Sequence, residues 1–288
     1  MVGVDSLTDY YDPGRKVDNL GTLLDHPRFR LEVVDLATTE IDHLLRGAAR
    51  VFHLAGQPGV RPSWGPSFED YVQRNVLATQ VLLESCATAR VKRVVYASSS
   101  SVYGDAAVLP THEGVLPRPR SPYGVTKLAA EHLCDAYAAS CGLSIASLRL
   151  FTVYGPRQRP DMAFARLVEA AVHHGPFTLN DDGLQIRDFT YVDDVVDAFL
   201  AAGDVSWEGT ANIGGGSPVA MIDAIRLVTE LCGPLPLRQA PPQNGDVRRT
   251  SADTTLARDV LGWRPTVSLE EGLARMVSSV RRHVAVPT

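Results

Sequence analysis

Short runs of apolar, β-favouring residues alternate with longer stretches whose apolar residues recur every three or four positions, and this rhythm holds through the first half of the chain. Val2–Val4, Arg30–Val34, Val51–Leu54, Arg93–Ala97 and Ser144–Leu150 read as strands, the longer ones apolar enough to be buried on both faces. Helical spacing lies between them near Thr39–Arg46, Ser67–Ala89 and Tyr123–Ala139. Strands that alternate with helices predict βαβ units and a parallel, doubly wound α/β sheet of the Rossmann type. After Leu150 the rhythm loosens. Tyr154–Pro160 and Asn180–Gln185 are expected as loops, and helices are expected near Phe164–His173, Asp194–Ala202, Met221–Cys232, Thr254–Leu261 and Leu269–Val284. The pattern divides the chain into a sheet-forming part over 1–150 and a smaller part over 151–288, from which some segments return to the sheet.

Composition narrows the class. The 288 residues are 45% hydrophobic and 21% charged, ordinary values for a globular protein with a sizeable core. A net charge of −5 without a basic block gives no footprint for nucleic acid. The apolar runs are of strand length, and Met1–Asp5 lacks the basic and apolar regions of a signal peptide, so no membrane partner and a cytoplasmic location are expected. Cys86, Cys134, Cys141 and Cys232 form no Cys-x-x-Cys pair and read as reduced core residues. No His, Cys or Asp cluster has metal-ligand spacing.

Candidate chemistry centres on Ser99, Tyr123 and Lys127. Tyr123 and Lys127 stand four residues apart, on one face of a predicted helix. A lysine ammonium beside a phenol favours the phenolate, so Tyr123 is expected below its usual value of about 10, as a general base. Ser99 follows the strand Arg93–Ala97 and falls at a carboxyl end, where α/β sheets bind ligands. His53, at a strand end, reads as structural, and Asp193–Asp194 as the cap of a helix.

The start of the chain is unusual for a dinucleotide fold, which opens with a strand, a Gly-rich turn and a helix whose N-terminus takes pyrophosphate. Val2–Asp5 looks like the strand after that unit, with Asp5 as the acid for the adenosine ribose. Gly56-x-x-Gly59 and Gly214–Gly216 read as tight turns. Either the recorded start lies too far downstream or the first βα unit has been lost; the first is favoured because the later motifs are intact.

Those motifs resemble the extended short-chain dehydrogenase/reductase family, and within it the NAD-dependent nucleotide-sugar epimerases and dehydratases. The resemblance rests on Val4–Pro13, His53-Leu-Ala-Gly-Gln57, Asn75-Val-Leu-Ala-Thr79, Tyr96–Gly104, Ser121-Pro-Tyr-Gly-Val-Thr-Lys127, Arg149–Pro156, Arg187–Asp194, Asn212–Pro218 and Gly245-Asp-Val. It implies a truncated NAD-binding Rossmann domain over 1–150 and a nucleotide-sugar-binding part over 151–288. It also implies a cofactor site of Asp5, Asp35, Leu36, Leu54, Ala55, Gln57, Asn75, Tyr123 and Lys127, and a UDP-sugar substrate. Tyr123 would take the 4-hydroxyl proton, Ser99 would bond the same oxygen, and Lys127 would hold the nicotinamide ribose.

Family dehydratases carry acidic residues where this chain has Ser100 and Ser101, which points to an epimerase. Tyr10-Tyr-Asp-Pro13, the four-serine run with Ser100 and Ser101, Thr152 and Arg159-Pro-Asp-Met162 are similar to the pattern of UDP-glucuronate 4-epimerases, in which small hydroxyls and an arginine meet the C5 carboxylate. Arg157-Gln158 departs from that pattern, so UDP-glucose/UDP-galactose epimerisation stays open, as does a non-catalytic nucleotide-sugar-binding remnant. Arg187 resembles the diphosphate-binding arginine, and Gln243 and Asp246 the residues around the nucleotide. A homodimer through the helices near Ser67–Ala89 and Tyr123–Ala139 is also implied.

Overall fold

The computed structural model describes residues 1–242 and 245–285. The first half runs β1 (Val2–Asp5), α1 (Pro13–Leu20), β2 (Arg30–Val33), α2 (Asp42–Leu45) and β3 (Arg50–His53), then α3 (Phe68–Tyr71), α4 (Ala78–Thr88), β4 (Arg93–Ser99), α5 (Pro122–Cys141) and β5 (Ile145–Leu150). All pairings among these strands are parallel. Residues alternate between the two faces of a strand. Val94 and Tyr96 of β4 therefore pack with Leu82, Leu83 and Cys86 of α4 and with Ala130 and Cys134 of α5, while Val95 and Ala97 pack on the opposite face.

The second half runs β6 (Thr152–Tyr154), α6 (Ala163–Val172), β7 (Phe177–Asn180), β8 (Ile186–Arg187), β9 (Phe189–Tyr191) and α7 (Val192–Asp204). It continues with β10 (Gly209–Ile213), β11 (Val219–Ala220), α8 (Met221–Cys232), β12 (Leu237–Ala240), α9 (Thr255–Leu261) and α10 (Leu269–Ala285). Here β10 returns to pair with β5. α7 and α9 cover the Val95–Ala97 face through Val195, Ala198, Phe199 and Ala257. A separate core of Tyr154, Phe164, Leu167, Phe177, Ile225 and Leu273 joins α6, α8 and α10 to the short strands.

The parallel sheet of the sequence reading is present, and it is divided. β1 pairs with β2 alone, and β10, β5, β4 and β3 form a second sheet. Other differences are local. The helix expected over Ser67–Ala89 is a 3-10 turn, α3, a π-helical turn at Val72–Leu77 and α4. The helix α1 lay outside the apolar pattern because it has no buried residue; Asp12 caps it by accepting from Gly14 N at 2.9 Å, with Pro13 at its first position. Asp194 caps no helix. It is 2% exposed, and its carboxylate accepts from Thr266 and Val267. Cys86 and Cys134 are buried, whereas Cys141 is exposed.

Candidate active site

The sequence places Tyr123 by capping a helix just before it. Ser121 Oγ accepts from Gly124 N at 3.1 Å, Pro122 takes the first turn, and the phenol projects from that turn. Ser99 ends β4, and its hydroxyl accepts from Ser101 N at 3.2 Å and bonds Tyr123. Lys127, one turn on, is 6% exposed. Its Nζ donates to Ala97 O at 2.9 Å and lies 5.1 Å from the centre of the Tyr96 ring. The structure thus brings Ser99, Tyr123 and Lys127 to one strand end.

It corrects one expectation about their electrostatics. Tyr123 is raised above the usual phenol value because burial outweighs the Ser99 hydrogen bond and the Arg159 charge, both of which favour the phenolate. Lys127 gives its hydrogen bond to Ala97 and is itself pushed down to about 8 by burial. Spacing alone showed the pair but not the desolvation of its members.

Two cavities adjoin each other at Arg159, and Ser99, Tyr123 and Lys127 are in the lining of neither. The first, about 380 Å³, opens at the carboxyl ends of β1, β2 and β3 and is lined by Asp5, Asp35, Leu36, Leu54, Ala55 and Gln57. Both carboxylates are held by the turn that follows them, Asp5 accepting from Leu7 N at 2.7 Å and Asp35 from Ala37 N at 2.8 Å. Hydroxyl-bearing ribose and a flat adenine suit this chemistry, and Lys16, Arg74 and Arg159 add positive charge to the same wall. Asn75 does not line it. Its amide accepts from Gln57 N at 2.6 Å and donates to Gln57 O and Thr126 Oγ1, both at 3.0 Å, so the π-helical turn holds the cavity's floor from behind.

The second cavity, about 270 Å³, is lined by Thr152, Arg159, Asp161, Arg187 and Asp246, with Asn180 and Phe177. Arg159 lines both cavities. Asp161 accepts from its Nε at 2.7 Å and its Nη2 at 3.1 Å. Tyr71 marks the seam: its hydroxyl is 2.9 Å from Pro58 O in one wall and 2.8 Å from Gly59 O in the other, and its ring stands edge-on to Tyr123 at 6.2 Å. Ser100 and Ser101 form the 3-10 turn after Ser99 and are not among the lining residues. Gln243 lies outside the described residues. Arg157 and Gln158 brace the loop rather than line a cavity, Arg157 donating to Asn19 O at 3.0 Å and Gln158 to Val153 O at 2.8 Å.

Sequence reasoning missed Tyr71 and Glu131, and it gave no role to Asp161 and Arg149, which stood inside its motifs. Arg149 carried a signal, because a charge inside an apolar strand is buried and needs a partner. Glu131 carried another, one turn beyond Lys127 on the same helix face. Among the described residues, no helix is long and apolar enough to cross a membrane, and no group of three or more His, Cys, Asp and Glu could hold a metal ion.

Comparison with known proteins places this geometry in context. The sequence pattern described as the NAD dependent epimerase/dehydratase family matches residues 1–214. A Bacillus subtilis protein named as an uncharacterized UDP-glucose epimerase, YtcB, is 40% identical over 96% of this chain and 89% of its own length. The structure of UDP-glucuronic acid 4-epimerase from Bacillus cereus with UDP-glucuronic acid and NAD has a TM-score of 0.94 at 38% identity, covering 98% of this chain and 91% of that one. MoeE5 with UDP-glucuronic acid and NAD has a TM-score of 0.87 at 42% identity, covering 98% and 99%.

Proposed function

The chain belongs to the NAD dependent epimerase/dehydratase family, and on that premise we propose that it inverts C4 of UDP-glucuronate to give UDP-galacturonate through a 4-keto sugar. It is an NAD-dependent enzyme of the UDP-sugar 4-epimerase kind. The observation that carries the choice of sugar is Arg159, on the wall shared by the two cavities and close to Thr152. Asp161 takes the Nε side of its guanidinium. Nη2 also donates to Met162 Sδ at 3.1 Å, which leaves Nη1 to meet a C5 carboxylate, with Thr152 of the same lining as a hydroxyl donor and Ser100 and Ser101, outside that lining, as further donors from the turn after Ser99.

In this reading Tyr123 accepts the proton of the sugar 4-hydroxyl, and Ser99 bonds the same oxygen so that its negative charge has a fixed donor. Lys127 holds the nicotinamide ribose and keeps a positive charge behind Tyr123. Asp5 takes the adenosine ribose, and Asp35, Leu36, Leu54, Ala55 and Gln57 flank the rest of the cofactor, with Asn75 fixing Gln57. When bound, NAD would supply reversible hydride acceptance at C4, so that the 4-keto sugar, turned over in the pocket, regains the hydride on its other face and its 4-oxygen the proton held by Tyr123. Arg187 takes the diphosphate, and Asp246, paired with Arg61 at 2.7 Å, borders the nucleotide. Exposed Leu77 and Val125, beside or on the helices α4 and α5, support a homodimer through those helices. In the same reading the reaction runs in the cytoplasm.

The purified chain with NAD is expected to convert UDP-glucuronate to its C4 epimer, followed by proton NMR of the sugar. Tyr123→Phe should lower kcat by at least ~10²-fold, the usual share of a general base. Turnover of UDP-glucose alone would remove the uronate reading, and no inverted product from either sugar would remove the epimerase reading.

A further inference from the structure

Tyr123, Lys127 and Glu131 follow one another along one face of α5 at intervals of four residues. Helical side chains lean toward the N-terminus, so Glu131 leans back over Lys127 as Lys127 leans toward Tyr123. A carboxylate and an ammonium at this spacing ordinarily pair. Here the lysine donates to Ala97 O, and both oxygens of the glutamate are taken by Arg149 of β5. Arg149 Nε donates to Oε1 at 2.9 Å and Nη2 to Oε2 at 2.7 Å, and the Ser98 hydroxyl also donates to Oε1. The arginine is held in turn. Its Nη1 donates to the Tyr103 hydroxyl at 2.9 Å, and that hydroxyl donates to Asn212 Oδ1 at 2.7 Å. All five side chains are buried, so the pair keeps its geometry without competition from water.

We propose that Arg149 is a positioning residue for the reaction: by engaging both oxygens of Glu131 it keeps that carboxylate off Lys127, whose ammonium stays at the Tyr123 end of the helix face. The inference rests on the proposed roles of Tyr123 and Lys127. A buried carboxylate stripped of its partner takes the nearest cation, and on this face that is Lys127. Such a pairing would draw the ammonium one turn away from Tyr123 and from Gly56, where an added Cβ would lie 3.5 Å from Nζ. The other ionisable groups around Lys127 are Cys134 on α5, Tyr96 on β4 and His53 on β3. Burial pushes Cys134 up to about 12, Tyr96 well above the phenol range and His53 down to about 3, so all three are uncharged between pH 7 and 8. Glu131 is the one anion among these neighbours.

The test reads Lys127 directly. The chain has three lysines, Lys16, Lys92 and Lys127, so protein with carbon-13 at lysine Cε gives three signals to titrate by NMR. Lys127 should titrate near 8 in the wild type. Arg149→Met should raise that midpoint by more than about one unit as the new ion pair forms, and Glu131→Gln should lower it. The double change should return it to the wild-type value or below. A rise absent in Arg149→Met, or persisting in the double variant, overturns the proposal. Loss of structure alone would lower Tm in every variant without producing that order. Should Arg149→Met fail to fold, Arg149→Lys, which can hold one oxygen only, gives a smaller rise, and no rise there overturns the proposal equally. The midpoints need no turnover, so a failed epimerase reading shows separately, in the product assay.

Discussion

His53 is 2% exposed, hydrogen-bonded to Thr79 Oγ1 at 2.8 Å, with its ring 5.4 Å from that of Tyr96. Burial, helped by the Lys127 charge, pushes it down to about 3 from an ordinary value of 6.5. Between those two pH values the unfolded chain binds a proton that the folded chain refuses, so stability falls as pH drops below about 6.5. The slope approaches ~1.4 kcal/mol per pH unit. Urea unfolding at pH 7 and pH 5 should therefore show His53→Gln losing about 2 kcal/mol less than the wild type across that interval; equal losses would remove the buried histidine as the cause. The structural role of His53 was legible at its strand end, as was the Tyr123–Lys127 pair from its spacing. What burial does to a phenol, and which of two charges a glutamate chooses, depends on residues brought from β4 and β5. No local pattern carries that information.

The helix α5 wrote its own boundaries into the sequence, with Ser121-Pro122 at one end and Gly142, at φ 68°, at the other. Ser121→Ala should remove the bond to Gly124 N and cost about 1 kcal/mol, read as a Tm lower by about 2–4 °C for a protein of this size. Because the cap adjoins Tyr123, kcat should fall as well, and an unchanged Tm would show that Pro122 alone sets the start. Other elements were hidden. β6, β8, β9 and β11 are two or three residues long, too short for any period, and exist because distant strands pair with them. The π-helical turn was likewise hidden, since Val72–Leu77 keeps helical spacing while its extra residue turns Asn75 toward Gln57.

Across the whole molecule the two sheets differ in how firmly they are built. None of residues 1–33 is buried, whereas every residue of β4 is. Few buried contacts make local opening cheap. Hydrogen exchange followed by mass spectrometry should show the amides of β1 and β2 exchanging at least ~10²-fold faster than those of β4 and β5. NAD should slow β1 in particular, through Asp5. Equal protection in both sheets would contradict this division. The parallel α/β plan was visible in the alternation of strands and helices, but periodicity did not locate the break between β1 and β3, because it records which residues are buried and not which strands are neighbours. Arg159 ties the looser region to the firmer one, since its guanidinium borders both cavities and lies 5.8 Å from the Tyr10 ring. A side chain placed to meet both proposed ligands gives their binding a route to be coupled, and any such coupling is reciprocal: whatever factor the sugar nucleotide adds to retention of the dinucleotide, the dinucleotide adds to capture of the sugar.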